Sequence, residues 1–557
     1  MVIVGIISLL LSLAFVWGYQ IENYREIWLS PAVVLAFLGI LCANFCLIGF
    51  FYALLDGKFG RNIGWKKSVS TGTISTADKA SSGTSATVSR LASWKVFLIS
   101  FAGIFILFSV SFLALYPGLF VFDASWQLEM YRYHKISEHQ PVLHTLILGF
   151  FVEHFKSDDW HINRGVVAYT VIQYVLAALV MSYANTFIYK KTKRILLLVI
   201  GILFYGAFPT IVLQVMSSTK DSYFLIVMIL LVTLCLEEFA ESRGTDPSAG
   251  SIAETGAGNS EKIARTIRIL RLALIIISGT LAAIFRNNCI YAVPFLIIPL
   301  FIFFKEKIKT TLIITAGIVI LFAAYKLLLV PAVIDEKVDG REFYSVPAQQ
   351  MIRIYKDKDA DITGAQRNLI ERLFEAEGIE EYQPKIADKA KAALDMEYYK
   401  NHRNEIKRLY LDMIKKNPKT AFEAFIELSC GMWYPGCRLT IFDDGRYGYW
   451  VVGCYPPAVV NSQLEPLHQY YKLFENSDFV TRNPVTSLLF APGTFFCFFA
   501  VMFGYAVDKK RKGFISVFIF ILMLWATYLL GPLAMVRYAI YLYGIVPLYS
   551  LLFLEKK

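Results

Sequence analysis

The chain has 557 residues, of which 56% are hydrophobic and only 18% are charged, and its mean hydropathy is +0.51. Soluble domains lie nearer about 45–50% apolar and about 25% charged residues. These values exclude a soluble enzyme, a disordered protein and a disulfide scaffold, and they indicate a protein with many membrane-spanning helices. The net charge of +11 can be interpreted only after the Lys and Arg residues are assigned to loops on either side of the membrane, because membrane proteins concentrate Lys and Arg in their cytoplasmic loops.

Twelve apolar segments are predicted to span the membrane, since a hydrocarbon core needs about 20 apolar residues per helix. The first is predicted to be an anchor and not a signal peptide, because it lacks a basic start and a small-residue cleavage site. Two short segments on either side of Arg286-Asn287-Asn288 are predicted to form a bent or re-entrant pair. The twelve segments lie at roughly 2–17, 31–54, 96–119, 165–188, 195–216, 222–240, 270–285, 289–304, 310–333, 485–506, 514–530 and 533–554.

The distribution of Lys and Arg predicts the orientation of the chain. If both termini are cytoplasmic, the cytoplasmic segments hold 25 Lys and Arg residues and the short outer loops hold 8. This excess is the usual mark of cytoplasmic loops. The basic charge is therefore a topology signal, and nucleic acid is not predicted as a partner. Two cytoplasmic stretches of small polar residues, 68–90 and 242–260, are predicted to be disordered linkers.

The spans divide the chain into three predicted parts. An N-terminal transmembrane region covers 1–333 and includes a first outer loop at 120–164, an exoplasmic domain covers 334–484, and C-terminal transmembrane helices cover 485–557. Apolar residues recur at helical spacing in the first half of the outer domain, and loops with short strands are predicted after Trp433. The predicted fold class is an all-α polytopic membrane protein with outer-surface helices and a mixed, mainly helical exoplasmic domain. A large domain outside suits an enzyme that acts on an extracellular acceptor.

The first outer loop carries the densest group of polar and aromatic residues. Asp123 lies just past the predicted outer end of the third span, and Trp126 and Gln127 follow it. A carboxylate at this position can act as a general base at the membrane surface. The same residue can instead cap a helix, because Asp followed by Ala-Ser-Trp-Gln is good N-capping chemistry. Both interpretations of Asp123 stay open at this point.

Five of the seven histidines lie between residues 134 and 161. Their spacings match no tight zinc motif such as HExxH, so no metal site is predicted from them. They are interpreted as interfacial residues on short helices that lie flat on the bilayer. His139 and His144 remain candidates for contact with a substrate. The five are His134, His139, His144, His154 and His161.

Neither a cofactor nor a disulfide is determined by the sequence. A divalent cation is left open, for example at the acidic pair Asp443-Asp444. Cys430, Cys437 and Cys454 lie outside the predicted spans, and the simplest disulfide among them joins Cys437 to Cys454.

Three basic residues from distant parts of the chain are predicted to lie at one membrane depth on the outer side: Lys220, Arg286 and Arg537. Charges within a membrane are costly and usually functional, and the guanidinium fork suits phosphate oxygens. Alternatively, Lys220 and Asp221 cap the start of the sixth span and extend their charged ends to the membrane–water interface. Together with Asp123, these groups suit a lipid whose phosphate lies at headgroup level and whose sugar faces outward.

This layout resembles the GT-C superfamily of membrane glycosyltransferases. It is most similar to bacterial transferases that use polyprenyl-phosphate sugars, and to an uncharacterised family near them. The resemblance covers most of residues 96–330 and the last spans. The short motifs that carry it are Tyr116-Pro117-Gly118 with Asp123, Trp126-Gln127, His139-Gln140-Pro141, Thr219-Lys220-Asp221, Arg286-Asn287-Asn288 and Arg537-Tyr538.

The resemblance implies an enzyme of the bacterial plasma membrane. Such enzymes transfer a sugar from a polyprenyl-phosphate carrier, typically with inversion, to an extracytoplasmic glycan or polymer acceptor. Asp123 would be the general base, and the basic residues would hold the donor phosphate and stabilise it as it departs. The implied substrate-binding residues are Trp126, Gln127, His139, His144, Lys220, Asp221, Arg286, Asn287, Arg537 and Tyr538.

One departure from the family pattern affects the expected chemistry. Many members carry two acids close together in the first outer loop, whereas here Ala124 and Ser125 follow Asp123. The metal requirement therefore stays open, as does the question of whether Asp221 supplies a second carboxylate.

Two other functions fit the same composition. A flippase for a lipid-linked glycan is expected to show paired repeats and charges through a mid-membrane cavity, but here the polar residues gather at one face. A polymerase or ligase of the O-antigen type also combines many spans with a large outer loop and uses Arg and His. An Asp123→Asn variant distinguishes the transferase from the polymerase or ligase, because an inactive variant supports the transferase and a fully active one supports the polymerase or ligase.

Overall fold

The computed structural model describes residues 1–57, 91–239, 257–335, 340–438, 452–475 and 483–553. Within these ranges the protein is built from helices and contains no β-strand, only isolated bridges such as that between Leu119 and Ser217. The all-α prediction is confirmed. The short strands predicted after Trp433 are not found in the described part of that region.

Several helices are long and apolar enough to cross a membrane, as a multi-pass membrane protein requires. Eight such helices are present among the described residues, and the bent pair Ile195–Ala207 and Pro209–Met216 makes nine if it counts as one span. The eight are Val2–Tyr24, Pro31–Leu55, Ser93–Ala114, Asn163–Thr192, Lys220–Phe239, Lys262–Phe285, Lys305–Val333 and Val536–Phe553.

The predicted count of twelve spans is not confirmed. Asn288–Phe303 has 16 residues, and Pro492–Asp508 and Lys512–Tyr528 have 17 each. At about 1.5 Å of rise per residue, helices of this length are shorter than a hydrocarbon core of about 30 Å. Asn288–Phe303 packs along Lys512–Tyr528, so two of the short helices support each other inside the protein.

Helix boundaries agree with the predicted segments in some places and differ in others. The predicted break at Arg286-Asn287-Asn288 is confirmed, because one helix ends at Phe285 and the next begins at Asn288. The segment predicted at 195–216 is broken by a 50° bend before Pro209, where proline has no N–H to continue the helix. The helix predicted to begin at residue 270 begins at Ala257, so part of the predicted 242–260 linker is helical. The 68–90 linker lies outside the described residues.

The region predicted as an exoplasmic domain is mainly helical where it is described, and its first half has a core of its own. That core includes Ile352, Ile370, Leu373 and Met413, all of which are nearly inaccessible to solvent. The helical periodicity in this half of the domain is confirmed. The α-helices of the whole region are Ser345–Lys356, Gly364–Leu373, Ala376–Glu380, Asp388–Ala392, Met396–Asn401, Arg403–Lys416, Pro418–Ser429 and Glu465–Lys472.

Hydrogen bonds around a buried ion pair of this domain attach it to the end of the first helix. Arg353 pairs with Glu427 and donates to the backbone carbonyl of Arg25, and the Ile27 N–H donates to the Glu423 carboxylate at 2.7 Å. Because Glu423 and Glu427 are almost fully buried, they need these partners to offset the cost of leaving water. The domain is therefore held firmly against the first helix.

Candidate functional site

The turn after the third helix positions the first candidate residues. Gly118 has a φ of +122°, and a Cβ on it would lie 2.3 Å from the Thr170 hydroxyl oxygen, so only glycine fits there. The next residue, Leu119, accepts from the Ser218 N–H and donates to the Met216 carbonyl, both at 2.9 Å. These bonds hold the start of the Phe122–Arg132 helix beside the start of Lys220–Phe239.

Asp123 lies in the first turn of the Phe122–Arg132 helix and is not its cap. Val121 occupies the N-cap position, and no side chain caps this helix. The Oδ2 atom of Asp123 instead accepts from Nη1 of Arg537 at 2.6 Å, across 414 residues of sequence. The N-cap interpretation is therefore wrong, because the carboxylate is turned towards a tertiary partner.

Two carboxylates and two guanidinium groups alternate at this position, and we name Asp123, Arg537, Asp221 and Arg286 the Asp–Arg cluster. Arg286 forms an ion pair with Asp221, and Nε of Arg537 lies 3.9 Å from Oδ2 of Asp221. Asp221 is completely buried in the first turn of its helix. It is thus neither exposed to the interface nor a simple helix cap, and it lies between two arginines from distant segments.

Lys220 lies next to this cluster. Its Nζ donates to Oε1 of Gln140 at 2.6 Å, which connects the start of the Lys220–Phe239 helix to the His139-Gln140-Pro141 motif. All three predicted basic residues are therefore brought together around the two aspartates.

An aromatic pair supports the guanidinium groups. The Tyr538 ring centre lies 4.5 Å from the Arg286 guanidinium carbon and 5.5 Å from that of Arg537. Tyr528 stacks on Tyr538 at 5.7 Å and is itself 5.9 Å from Arg286. Cations over such ring faces gain favourable electrostatic energy. Tyr528 was not singled out from the sequence, because no motif near it distinguishes it from the other tyrosines.

The charges around Asp123 determine its protonation. Burial by itself raises the pKa of this carboxyl, but Arg537, Lys220 and Arg286 outweigh burial and hold the pKa well below its usual range. Among the described residues, Nε of Arg537 and Oδ2 of Asp221 are buried without a hydrogen-bond partner. Asp123 is therefore ionised, and the cluster has donor capacity that the protein does not use.

Trp126 and His139 lie between the cluster and the domain. Their rings are 4.9 Å apart, and Nδ1 of His139 is 3.9 Å from the Glu342 carboxylate, which pairs with Lys391 at 2.6 Å. Burial lowers the pKa of His139; Glu342 opposes the shift, and Lys220 and Lys391 add to it. His139 is therefore mainly neutral near pH 7.

Gln127 and His144 lie in the interior. The His144 ring nitrogens bond to Oε1 of Gln127 at 3.0 Å and to the Tyr169 hydroxyl at 2.8 Å, and burial lowers the pKa of His144 to about 3. The Gln127 amide also donates to Thr145 at 2.9 Å. These contacts favour a structural role, since the polar side-chain atoms of both residues already have hydrogen-bond partners. Asn287 is exposed at the break before the Asn288–Phe303 helix.

The cysteines do not pair as the sequence suggested. All eight are free thiols. The Cys437 sulfur lies within 4.8 Å of the Cys430 sulfur and of a Glu22 carboxylate oxygen, whereas the Cys454 sulfur contacts the Gly118 carbonyl at 3.1 Å. The predicted Cys437–Cys454 pair is therefore not formed.

The Asp–Arg cluster does not support a cation site, because guanidinium groups already face its carboxylates. Glu22, beside Cys430 and Cys437, is likewise paired with the Lys385 ammonium group at 2.6 Å. The Asp443-Asp444 pair lies outside the described residues.

Comparison with known proteins gives one match. Residues 132–557 match a family of unknown function, DUF6020. The match includes Lys220, Asp221, Arg286 and Arg537, and it begins after Asp123. No curated protein and no solved structure matches the chain.

Proposed function

The chain belongs to the DUF6020 family, and we propose that it is an integral membrane glycosyltransferase. In this proposal the enzyme moves a sugar from a polyprenyl-phosphate carrier to an extracytoplasmic glycan of the cell envelope, and Asp123 is the general base. The observation that supports it most is the Asp–Arg cluster, in which the carboxylate of the candidate base is in direct contact with a guanidinium group.

The basic groups suit the donor phosphate. Arg286, Arg537 and Lys220 outnumber the two aspartates, so the cluster favours binding of an additional anion. The unused Nε of Arg537 offers an N–H to a phosphate oxygen. Preorganised donors of this kind stabilise the negative charge that develops on a departing phosphate, and Tyr538 keeps the Arg286 guanidinium in place.

Donor binding also activates the base in this mechanism. While Arg537 pairs with Asp123, the carboxylate has a depressed pKa and is a weak base. A phosphate that competes for Arg537 loosens this pair. Burial, which raises the pKa of Asp123, is then opposed mainly by Lys220 and Arg286. The pKa of Asp123 therefore rises, and the carboxylate accepts the acceptor's hydroxyl proton more readily. Proton transfer is thereby coupled to the presence of the donor.

The proposed topology follows from the distribution of Lys and Arg. Both termini lie in the cytoplasm of a bacterial cell, the helical domain lies outside the plasma membrane, and the short apolar helices complete twelve crossings. The Asp–Arg cluster then lies at the outer leaflet, where membrane lipids surround the carrier.

A polymerase or ligase of the O-antigen type is the second candidate. The observation that favours it is His139, which is partly exposed beside Trp126 and has a lowered pKa. A neutral imidazole at this position can accept a proton from an acceptor hydroxyl.

The test is sugar transfer in detergent from a panel of polyprenyl-phosphate hexoses, with and without a chelator. Asp123→Asn should lower the rate by about 10²–10⁴-fold, as expected for loss of a general base. The chelator should have no effect, because the site's carboxylates face guanidinium groups. Asp158→Asn is the matched control, since Asp158 is an exposed acid of the same loop that pairs with His161, and it should keep the wild-type rate.

Three outcomes would argue against the proposal. No transfer by wild type from any donor returns the flippase to consideration. An active Asp123→Asn with an inactive His139→Gln favours the polymerase or ligase. Loss of transfer with the chelator requires a metal-bound mechanism at Asp123.

A further inference from the structure

An open pocket lies on the helix that carries Asp123. It has a volume of about 270 Å³ and is lined by Phe122, Ser125, Trp126 and Glu129. The spacing of these residues places them on one face of the Phe122–Arg132 helix. Ligand pockets usually measure about 300–1,000 Å³, so this one is slightly smaller than the usual range and suits a single sugar ring.

Two aromatic side chains of the pocket are open to the surroundings. Phe122 is 60% exposed and Trp126 is 36% exposed. Each is nevertheless positioned by a neighbour, because Phe122 packs against Tyr455 at 5.5 Å and Trp126 against His139 at 4.9 Å. The apolar C–H face of a pyranose can pack on such a preformed ring and so leave water.

The polar groups of the pocket match sugar hydroxyls. The Ser125 hydroxyl donates to the Pro456 carbonyl at 2.9 Å, so its oxygen is left as an acceptor. The Glu129 side chain is an exposed carboxylate and can only accept when ionised. Both groups therefore call for hydroxyl donors on the ligand.

The same groups argue against a lipid tail as the occupant. A carboxylate facing hydrocarbon is costly, and Glu129 lines the pocket directly. Trp126 packs on His139, whose ring faces Glu342 of the helical domain. The pocket is therefore directed towards a polar part of the protein.

We propose that this pocket binds a pyranose ring of the acceptor glycan and presents one of its hydroxyls to Asp123. The inference rests on the proposed function and names the acceptor's place in it. Phe122 and Asp123 are consecutive residues of the first helical turn, so their side chains point about 100° apart. A sugar stacked on Phe122 and Trp126 thus lies next to the carboxylate that Arg537 holds.

The test measures binding of methyl glucoside, methyl mannoside and methyl galactoside to the full-length protein in detergent. At least one should bind wild type, and Trp126→Ala should weaken it by tenfold or more. Trp126→Phe should keep part of the affinity, and Glu129→Gln should weaken binding several-fold. Trp160→Ala is the matched control, because Trp160 is 80% exposed in the same loop and lies outside the pocket; its affinity should stay within twofold of wild type.

Several results would overturn the inference. The first is that none of the three methyl hexosides binds. The second is that Trp126→Ala and Glu129→Gln both keep wild-type affinity. The third is that brominated acyl chains quench the Trp126 fluorescence, which would place this side chain in lipid. Trp126 fluorescence is obtained by difference from Trp126→Phe, and the melting temperature of each variant checks that it is folded.

The pocket and the proposed reaction can fail separately. Asp123→Asn should bind the methyl hexoside within several-fold of wild type, because the asparagine oxygen still accepts a hydrogen bond from the sugar hydroxyl, and it should transfer sugar about 10²–10⁴-fold more slowly. Sugar binding that depends on Trp126, in a wild-type protein without transferase activity, would reject the proposed reaction and keep the pocket. Transfer by Trp126→Ala with an unchanged acceptor KM would reject the pocket and keep the reaction.

Discussion

Asp221 makes it possible for two arginines to lie side by side in the interior. Arg286 and Arg537 come from segments that are distant in sequence, and like charges at this depth repel strongly. The buried Asp221 carboxylate pairs with Arg286 and lies 3.9 Å from Arg537, which offsets the repulsion and part of the cost of burial. Asp221 therefore has a clear role in positioning the cluster even without direct contact with a substrate.

The ion pair between Asp123 and Arg537 should be measurable as a coupling energy. We expect Asp123→Asn and Arg537→Gln each to destabilise the protein, and the double variant to be less destabilised than their sum, by about 0.5–3 kcal/mol. The value belongs in the lower part of this range because both side chains are about one-fifth exposed. Thermal unfolding of the four proteins in detergent measures it, and additive effects would contradict the pairing.

The ion pair between Asp123 and Arg537 also determines how the stability of the protein changes with pH. The pKa of Asp123 is lower in the folded protein than in the unfolded chain, so its contribution to stability is complete above the unfolded pKa of about 3.9. The contribution is lost as the pH falls below that value towards the folded pKa. The coupling energy should therefore be constant from about pH 5 to 7 and decrease only in stronger acid.

At the level of elements, the site depends on how the starts of the Lys220–Phe239 and Phe122–Arg132 helices are held together. Gln173 of the Asn163–Thr192 helix donates to the carbonyls of Val215 at 2.7 Å and Ser217 at 2.9 Å. These bonds satisfy backbone groups just before Lys220 that would otherwise be buried without partners. The Gly118 turn, which binds the same segment through Leu119, adds the Phe122–Arg132 helix to this arrangement.

Gly118→Ala should damage this arrangement. The new methyl group would meet Thr170, and alanine at a positive φ adds strain of about 1–2 kcal/mol, so we expect a lower melting temperature together with loss of transfer. Gly364→Ala is the control, because Gly364 begins a helix and a Cβ there meets nothing within 4 Å. That change should leave stability the same or raise it slightly. Equal melting temperatures for the two variants would contradict the crowding described at Gly118.

For the whole molecule, the helical domain contacts the rest of the protein at several places, of which two bear on the candidate site. Arg353 and Glu427 bond to Arg25 at the end of the first helix, and the Ile27 N–H donates to Glu423. Glu342 lies 3.9 Å from His139 in the segment that carries Asp123. The domain therefore lies on the same side of the protein as the candidate site. An enzyme with a macromolecular acceptor needs such a surface next to its catalytic group.

The proposed orientation can be tested with an introduced cysteine and a membrane-impermeant maleimide in intact bacterial cells. Lys400→Cys, on the exposed surface of the domain, should be labelled in intact cells, because the domain is proposed to lie outside. Lys191→Cys, exposed at the end of the Asn163–Thr192 helix, should be labelled only after the cells are lysed. The unmodified chain controls for its eight native thiols, and the reverse labelling pattern would invert the topology.

The amino-acid sequence by itself determined the helical membrane class, the helix break at Arg286 and the choice of Lys220, Arg286 and Arg537 as the basic residues of the candidate site. Hydropathy, helical periodicity and breaks are local properties, so a single segment is enough to show them. Only the tertiary structure decided that Asp123 pairs with Arg537 and does not cap its helix, that Tyr528 supports Arg286, and that His144 is buried. These outcomes depend on packing between segments that lie from about twenty to more than four hundred residues apart, and no local pattern carries that information.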